Sequence, residues 1–299
     1  MTGTDLSARS TSSTSPRHPG VVPALVGATV NAVSRVAPRA AGRLALELWR
    51  RPGRPADVRP EERVVHGAAR RSLVEGAGTG VAAYAWGDAP RPVLLVHGWG
   101  ARASRFGGLV AALLESGHSA VAYDAWGHGA SPGPVRTILE HRRVIAELEE
   151  RHGPFGGVVG HSFGVPVALY AAASGLAVDR VVAVSGMSEF GYLVDSFCER
   201  LGLRAPVDSV LRRAIERAYF AGDGGIWERF SAHRLPSARV MVVHDADDRV
   251  VDRGQADLLV SALGDSTRLV ETSGLGHGRI LRDRAVIAKI VAFLHREPT

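Results

Sequence analysis

From Val93 onward the apolar positions of this chain fall in short unbroken runs: Val93–Val96, Ala120–Tyr123, Gly157–Val159, Val181–Val184 and Val240–Val243. Runs without polar alternation are what a parallel sheet buried on both faces needs. Two alternating strands precede them, near Arg70–Glu75 and Val81–Trp86, with Gly76–Gly80 turning between, and a late strand falls near Arg268–Val270. Stretches with helical period separate the strands: Arg105–Ser116, Val135–Arg151, Phe163–Ser174, Gln255–Leu263 and Ile280–Arg296. Strands alternating with helices predict an α/β fold with a doubly wound sheet.

Two regions depart from that rhythm. Between Met187 and Pro236 there is no strand-like run, only helical patterns near Tyr192–Leu201, Val207–Ala218 and Ile226–Phe230. An insertion over about 188–235 reads as a cap above one sheet edge. Residues 22–50 carry apolar positions among arginines in an amphipathic helical pattern broken near Pro38. That pattern suits a helix packed on the domain surface, or one that contacts a membrane surface or a partner. Residues 1–20 have no hydrophobic period and read as a disordered tail. A Pro/Arg-rich linker over 51–62 leads into the main domain at 63–299.

Composition narrows the function classes. The 299 residues are 45% hydrophobic, enough for one large domain. The balance of 36 Lys+Arg against 30 Asp+Glu leaves a net charge of +6. Acids are mixed among the arginines, and no basic tract is interleaved with aromatics, so nucleic-acid binding is not expected. Cys198 is the single cysteine, which rules out an internal disulfide and fits a reducing, cytoplasmic location. No run reaches the length of a transmembrane segment. The stretch Val21–Val33 has a signal-peptide outline, but Pro23, Thr29 and Asn31 interrupt it.

The strongest chemical signal is Gly160-His161-Ser162-Phe163-Gly164, placed between a buried strand and a helix. A nucleophilic serine needs a sharp turn that lifts its hydroxyl out of the sheet, and bulky flanking residues would clash across it. Serine also needs a base. His277, in Gly274-Leu275-Gly276-His277-Gly278, sits on a glycine-flanked loop after the last strand. His161 is expected to point away, and His244 to be packed at a strand end. The base needs a carboxylate to fix its tautomer. Asp248 is the chosen member of the loop after Val240–Val243, with Asp247 as alternative and Asp245 capping the turn. The N–H groups of Phe163 and of Trp99, in His97-Gly98-Trp99-Gly100, are the expected oxyanion donors. Asp124-Ala125-Trp126-Gly127-His128-Gly129 is read as a structural loop under the site. Trp99, Trp126, Met187 and Phe190 are candidate substrate-binding residues.

Together these motifs resemble the α/β-hydrolase superfamily over about Arg70–Arg296. The resemblance implies an eight-stranded, mostly parallel sheet, a helical cap after the sixth strand, and no cofactor or metal. It implies Ser162 as nucleophile, His277 as base, Asp248 as orienter, and Trp99 and Phe163 as oxyanion donors. The expected function is hydrolysis of a small-molecule carboxylic ester or thioester through an acyl-enzyme. Acyl transfer, C–C cleavage or perhydrolysis by the same triad, and a non-catalytic ligand receptor, stand as alternatives. The departures, Asp245 where many relatives have Gly and Asp252 where they often have Pro, bear on which loop aspartate acts.

Overall fold

The apolar runs become strands whose every residue is buried, as at β3 (Val93–Val96), β4 (Ala120–Tyr123) and β5 (Gly157–His161). A computed structural model describes residues 21–75, 79–233, 235, 238–264 and 267–295. The expected tail at 1–20 and three residues of the expected Gly76–Gly80 turn lie outside the described residues, as does the last residue of the expected helix ending at Arg296.

The other strands are β1 (Arg70–Val74), β2 (Val81–Trp86), β6 (Arg180–Val184), β7 (Arg239–Asp245) and β8 (Arg268–Thr272). The sheet order is β1-β2-β4-β3-β5-β6-β7-β8. β2 runs antiparallel to both its neighbours, and the other pairings are parallel. The loops after β3, β4, β5, β7 and β8 therefore emerge along one sheet edge, where ligands bind in open α/β sheets.

Helices cover both faces. On the way through the sheet come α3 (Arg63–Gly67), α4 (Gly107–Glu115), α5 (Ile138–His152), α6 (Gly164–Ala173), α10 (Gly254–Leu263), α11 (Gly276–Arg279) and α12 (Arg284–Leu294). The helix expected from Val135 starts only at Ile138, because Thr137 and Glu140 form a capping box there. The last helix breaks at Asp283, whose carboxylate caps α12 by accepting the Val286 N–H at 2.9 Å. The linker is tied down as well. Glu62 is buried and accepts from Ser104 Oγ and from the Arg105 guanidinium, both at 2.6 Å.

Three helices stand between β6 and β7: α7 (Tyr192–Leu201), α8 (Val207–Tyr219) and α9 (Ile226–Arg229). The N-terminal segment forms α1 (Val21–Val36) and α2 (Pro38–Trp49), which pack on this insertion. Glycine makes both crossings possible. A Cβ on Gly27 would lie 1.8 Å from the Leu201 carbonyl oxygen, and one on Gly42 would lie 2.4 Å from Val210 Cγ1. Asn31 then closes the end of α7: its amide donates to the Gly202 carbonyl at 2.8 Å and accepts the Arg204 N–H at 2.9 Å. The inner face of the amphipathic pair is thus taken by α7 and α8, while Leu25 and Val36 face outward. No helix among the described residues is long and apolar enough to cross a membrane.

Candidate active site

Ser162 follows β5 directly and has φ of +55°, in the left-handed region that strains a non-glycine residue. The surrounding chain holds it there. Its N–H donates to the Val184 carbonyl at 3.0 Å. A Cβ on Gly160 would lie 2.5 Å from the Gly164 carbonyl oxygen, and one on Gly164 would lie 2.0 Å from that of Val96. Both positions are closed to any side chain, which is the physical content of the Gly-x-Ser-x-Gly pattern.

His277 lies in the short helix α11, with Nδ1 2.8 Å from Asp248 Oδ2. The other oxygen of Asp248 accepts the N–H groups of Val250 at 2.8 Å and Val251 at 3.0 Å. Burial pushes the Asp248 carboxyl upward. The hydrogen bond and charge of His277, with the two amides, more than offset this and hold it below the usual carboxylate range. An ionised carboxylate only accepts, so Nδ1 carries a proton and donates it to Asp248.

The neighbouring aspartates have separate tasks. Asp245 is buried and accepts from Thr272 Oγ1 at 2.7 Å, Leu275 N–H at 3.1 Å and Gly276 N–H at 2.9 Å. It also accepts the Asp247 N–H at 3.0 Å, so it caps its own turn and latches the His277 loop. Asp247 accepts the Gly274 N–H at 2.8 Å. Neither touches the imidazole.

His161 departs from expectation. It does not turn away from the site but lies buried beneath His277, with Nε2 2.9 Å from the His277 carbonyl and ring centroids 4.8 Å apart. A carbonyl only accepts, so Nε2 must donate. Burial, reinforced by the neighbouring imidazole, pushes His161 down to about 3 and keeps it neutral. Nothing in the sequence shows that β5 continues through His161 and aims it at a loop that follows 116 residues later. His244 is packed as expected, its Nε2 3.2 Å from the Val251 carbonyl.

The amides of Trp99 and Phe163 donate to no protein acceptor among the described residues. The two side chains meet edge to face at 6.2 Å. Behind them Asp124 is fully buried and accepts from Tyr84, Arg102, Ala103 and Ala130. A Cβ on Gly129 would fall 2.0 Å from its carboxylate. His97 Nε2 accepts the Ala125 N–H at 3.0 Å while Nδ1 donates to the Gly98 carbonyl at 2.8 Å. These bonds tie the loops after β3 and β4 together.

Ser162 and His277 open into one cavity of about 570 Å³. Trp99, Met187 and Phe190 line it. Trp126 does not. Its ring is buried, its indole N–H donates to the Thr79 carbonyl at 2.7 Å, and it borders only a void of about 10 Å³ beside Trp99 and Phe163. Leu48, Trp49 and Arg51, which carry no site motif, place the end of α2 and the following turn in the cavity wall. An amphipathic pattern shows that a helix has a buried face but not what that face meets. A larger groove of about 1680 Å³ crosses the opposite sheet edge, where β6, β7 and β8 begin, and holds none of these groups.

Residues 93–290, more than half of the chain, match the alpha/beta hydrolase family. The chain belongs to that family. Among solved structures, this alpha/beta hydrolase resembles the mouse alpha/beta hydrolase domain-containing protein 10. The TM-score is 0.58 at 16% identity, over 75% of this chain and 96% of that one. It also resembles a 2-hydroxy-6-oxo-6-phenylhexa-2,4-dienoate hydrolase from a Rhodococcus species, at a TM-score of 0.56 and 18% identity over 76% and 98% of the two chains. A monoacylglycerol lipase from Paleococcus ferrophilus matches at 0.54 and 22%, over 72% and 98%. These likenesses concern the fold. A curated serine hydrolase-like protein of Dictyostelium discoideum is 33% identical over 110 residues, 34% of this chain and 31% of that protein, so the chain spans about a third of that relative's length.

Proposed function

We propose that this alpha/beta hydrolase cleaves a carboxylic ester or thioester through an acyl-enzyme. The observation that carries the reading is the contact of His277 Nδ1 with the buried Asp248 carboxylate, on an imidazole that shares its cavity with Ser162. In this reading Ser162 Oγ attacks the carbonyl carbon as its proton passes to His277 Nε2. The oxyanion that forms accepts from the free N–H groups of Trp99 and Phe163. His277 then returns the proton to the departing alcohol or thiol. Water repeats the sequence on the acyl-enzyme and releases the acid. Asp248 holds the tautomer and stabilises the imidazolium without taking its proton.

α7, α8 and α9, with α2 against them, act as a cap that shields the acyl group. A cytoplasmic location is part of the proposal and fits a buried thiol at Cys198, whose ionisation burial suppresses.

The test is labelling by a fluorophosphonate probe together with turnover of p-nitrophenyl esters and acyl thioesters. Wild type should do both and Ser162→Ala neither. Full activity in Ser162→Ala would overturn the reading.

A further inference from the structure

The cavity has a chemical asymmetry. Its wall is largely apolar and aromatic, yet it holds three arginines, Arg51, Arg136 and Arg200, and no aspartate or glutamate among the described residues. Arg51 and Arg200 are exposed at the margin. Arg51 is 4.0 Å from Glu47, and Arg200 donates to the Ser196 carbonyl at 3.2 Å. Arg136 differs from both. It is half-buried, its Nε is buried without an acceptor, and it makes no hydrogen bond or ion pair among the described residues. A buried donor left without a partner is costly, and a guanidinium more so. Arg136 borders both the main cavity and the small void that Trp99 and Phe163 also line.

We propose that the substrate is an anionic amphiphile. Its apolar acyl part packs on the aromatic wall that includes Trp49, Phe190 and Trp227, and its carboxylate or phosphate is held by Arg136. Arg51 and Arg200 draw that anion to the mouth. A planar guanidinium pairs two oxygens of either group, and in a partly water-excluded cavity such a bond discriminates strongly against a neutral isostere. This inference rests on the serine-hydrolase reading for its chemistry but not for its test.

The test is direct binding. Trp49, Trp99 and Trp227 line the cavity, so tryptophan fluorescence of the full chain reports occupancy. Decanoate, decyl phosphate and decanamide are titrated below their micelle concentrations. At least one anion should bind about tenfold or more tightly than the amide, the size expected of one charge-assisted hydrogen bond. The tighter of the two names the head group. Arg136→Gln should bring the ratio near one and leave decanamide unchanged. Equal affinity of all three ligands for wild type overturns the proposal, and so does an equal loss for all three in Arg136→Gln. The wild-type ratio decides the matter even if that variant fails to fold. Ser162→Ala should keep the anion preference while losing turnover. Retained turnover there would sink the catalytic reading, a result separate from the binding ratio.

Discussion

Gly98 faces Ser162 so closely that a Cβ at position 98 would lie 2.7 Å from the serine Cβ and 2.9 Å from the His161 carbonyl oxygen. The loop after β3 is therefore set against the serine turn by the lack of a side chain. Gly98→Ala should push the two loops apart and shift the Trp99 N–H from its proposed place. A displacement of about 1 Å at a reacting centre costs on the order of 100-fold. We expect kcat/KM on p-nitrophenyl butyrate to fall by about that factor, with far-ultraviolet circular dichroism unchanged.

The three aspartates of the β7 loop should separate cleanly by phenotype. Asp248→Asn removes the acceptor that fixes the His277 tautomer and should lower kcat by about 10⁴-fold. Asp247→Asn keeps an oxygen for the Gly274 amide and should stay within a few-fold of wild type. Asp245→Asn disturbs a buried acceptor of four hydrogen bonds, so its main effect should be a lower Tm. Kinetics and thermal melts of the three variants check the assignment. An inactive Asp247→Asn beside an active Asp248→Asn would reverse it.

Acid should destabilise the chain before its carboxylates protonate. Burial holds His161 and His141 down to about 3 and His97 to about 4, against an ordinary value of 6.5. The unfolded chain binds these protons below 6.5 and the folded chain does not. Their contribution is therefore intact above 6.5 and is lost as pH falls from there toward the folded values, each by up to about 1.4 kcal/mol per pH unit. Asp245 and Asp248, both held below 3.8, add a loss only under that pH. Urea unfolding at pH 7.0 and 5.5 should show the decline. His141→Phe should shrink the difference between the two pH values even where it lowers stability at both.

Trp49 stands 5.9 Å from Trp99 across the cavity wall. Trp49→Ala should raise KM for p-nitrophenyl decanoate about fivefold or more, since an aromatic contact of this kind contributes about 1 kcal/mol beyond its buried area. Turnover of the acetate ester should not change. Parallel losses on both esters would place Trp49 outside the acyl path.

The buried strands were legible because burial on both faces leaves a run with no polar position to misread, as at Val93–Val96. The serine turn was legible because its two glycines answer to backbone clashes within a few residues. Thr137 and Glu140 carry a helix-start signal of their own, and it places the helix at Ile138 where the hydrophobic period alone would begin it at Val135. What the sequence hid depends on distant parts of the chain. His161 gains its role from a carbonyl 116 residues away. Asn31, read as an interruption of an apolar run, finds its partners at Gly202 and Arg204. Trp126 looked like a pocket aromatic because nothing local shows that its indole N–H is satisfied beneath the loop.

The docking of α2 on α8 brings a segment from outside the family match into the chamber wall. The family match spans residues 93–290 and so contains the proposed triad. Trp49 and Arg51 lie before it and still line the chamber. A descendant that exchanged only its first fifty or so residues would keep the same proposed triad, yet would meet its substrates through a different doorway.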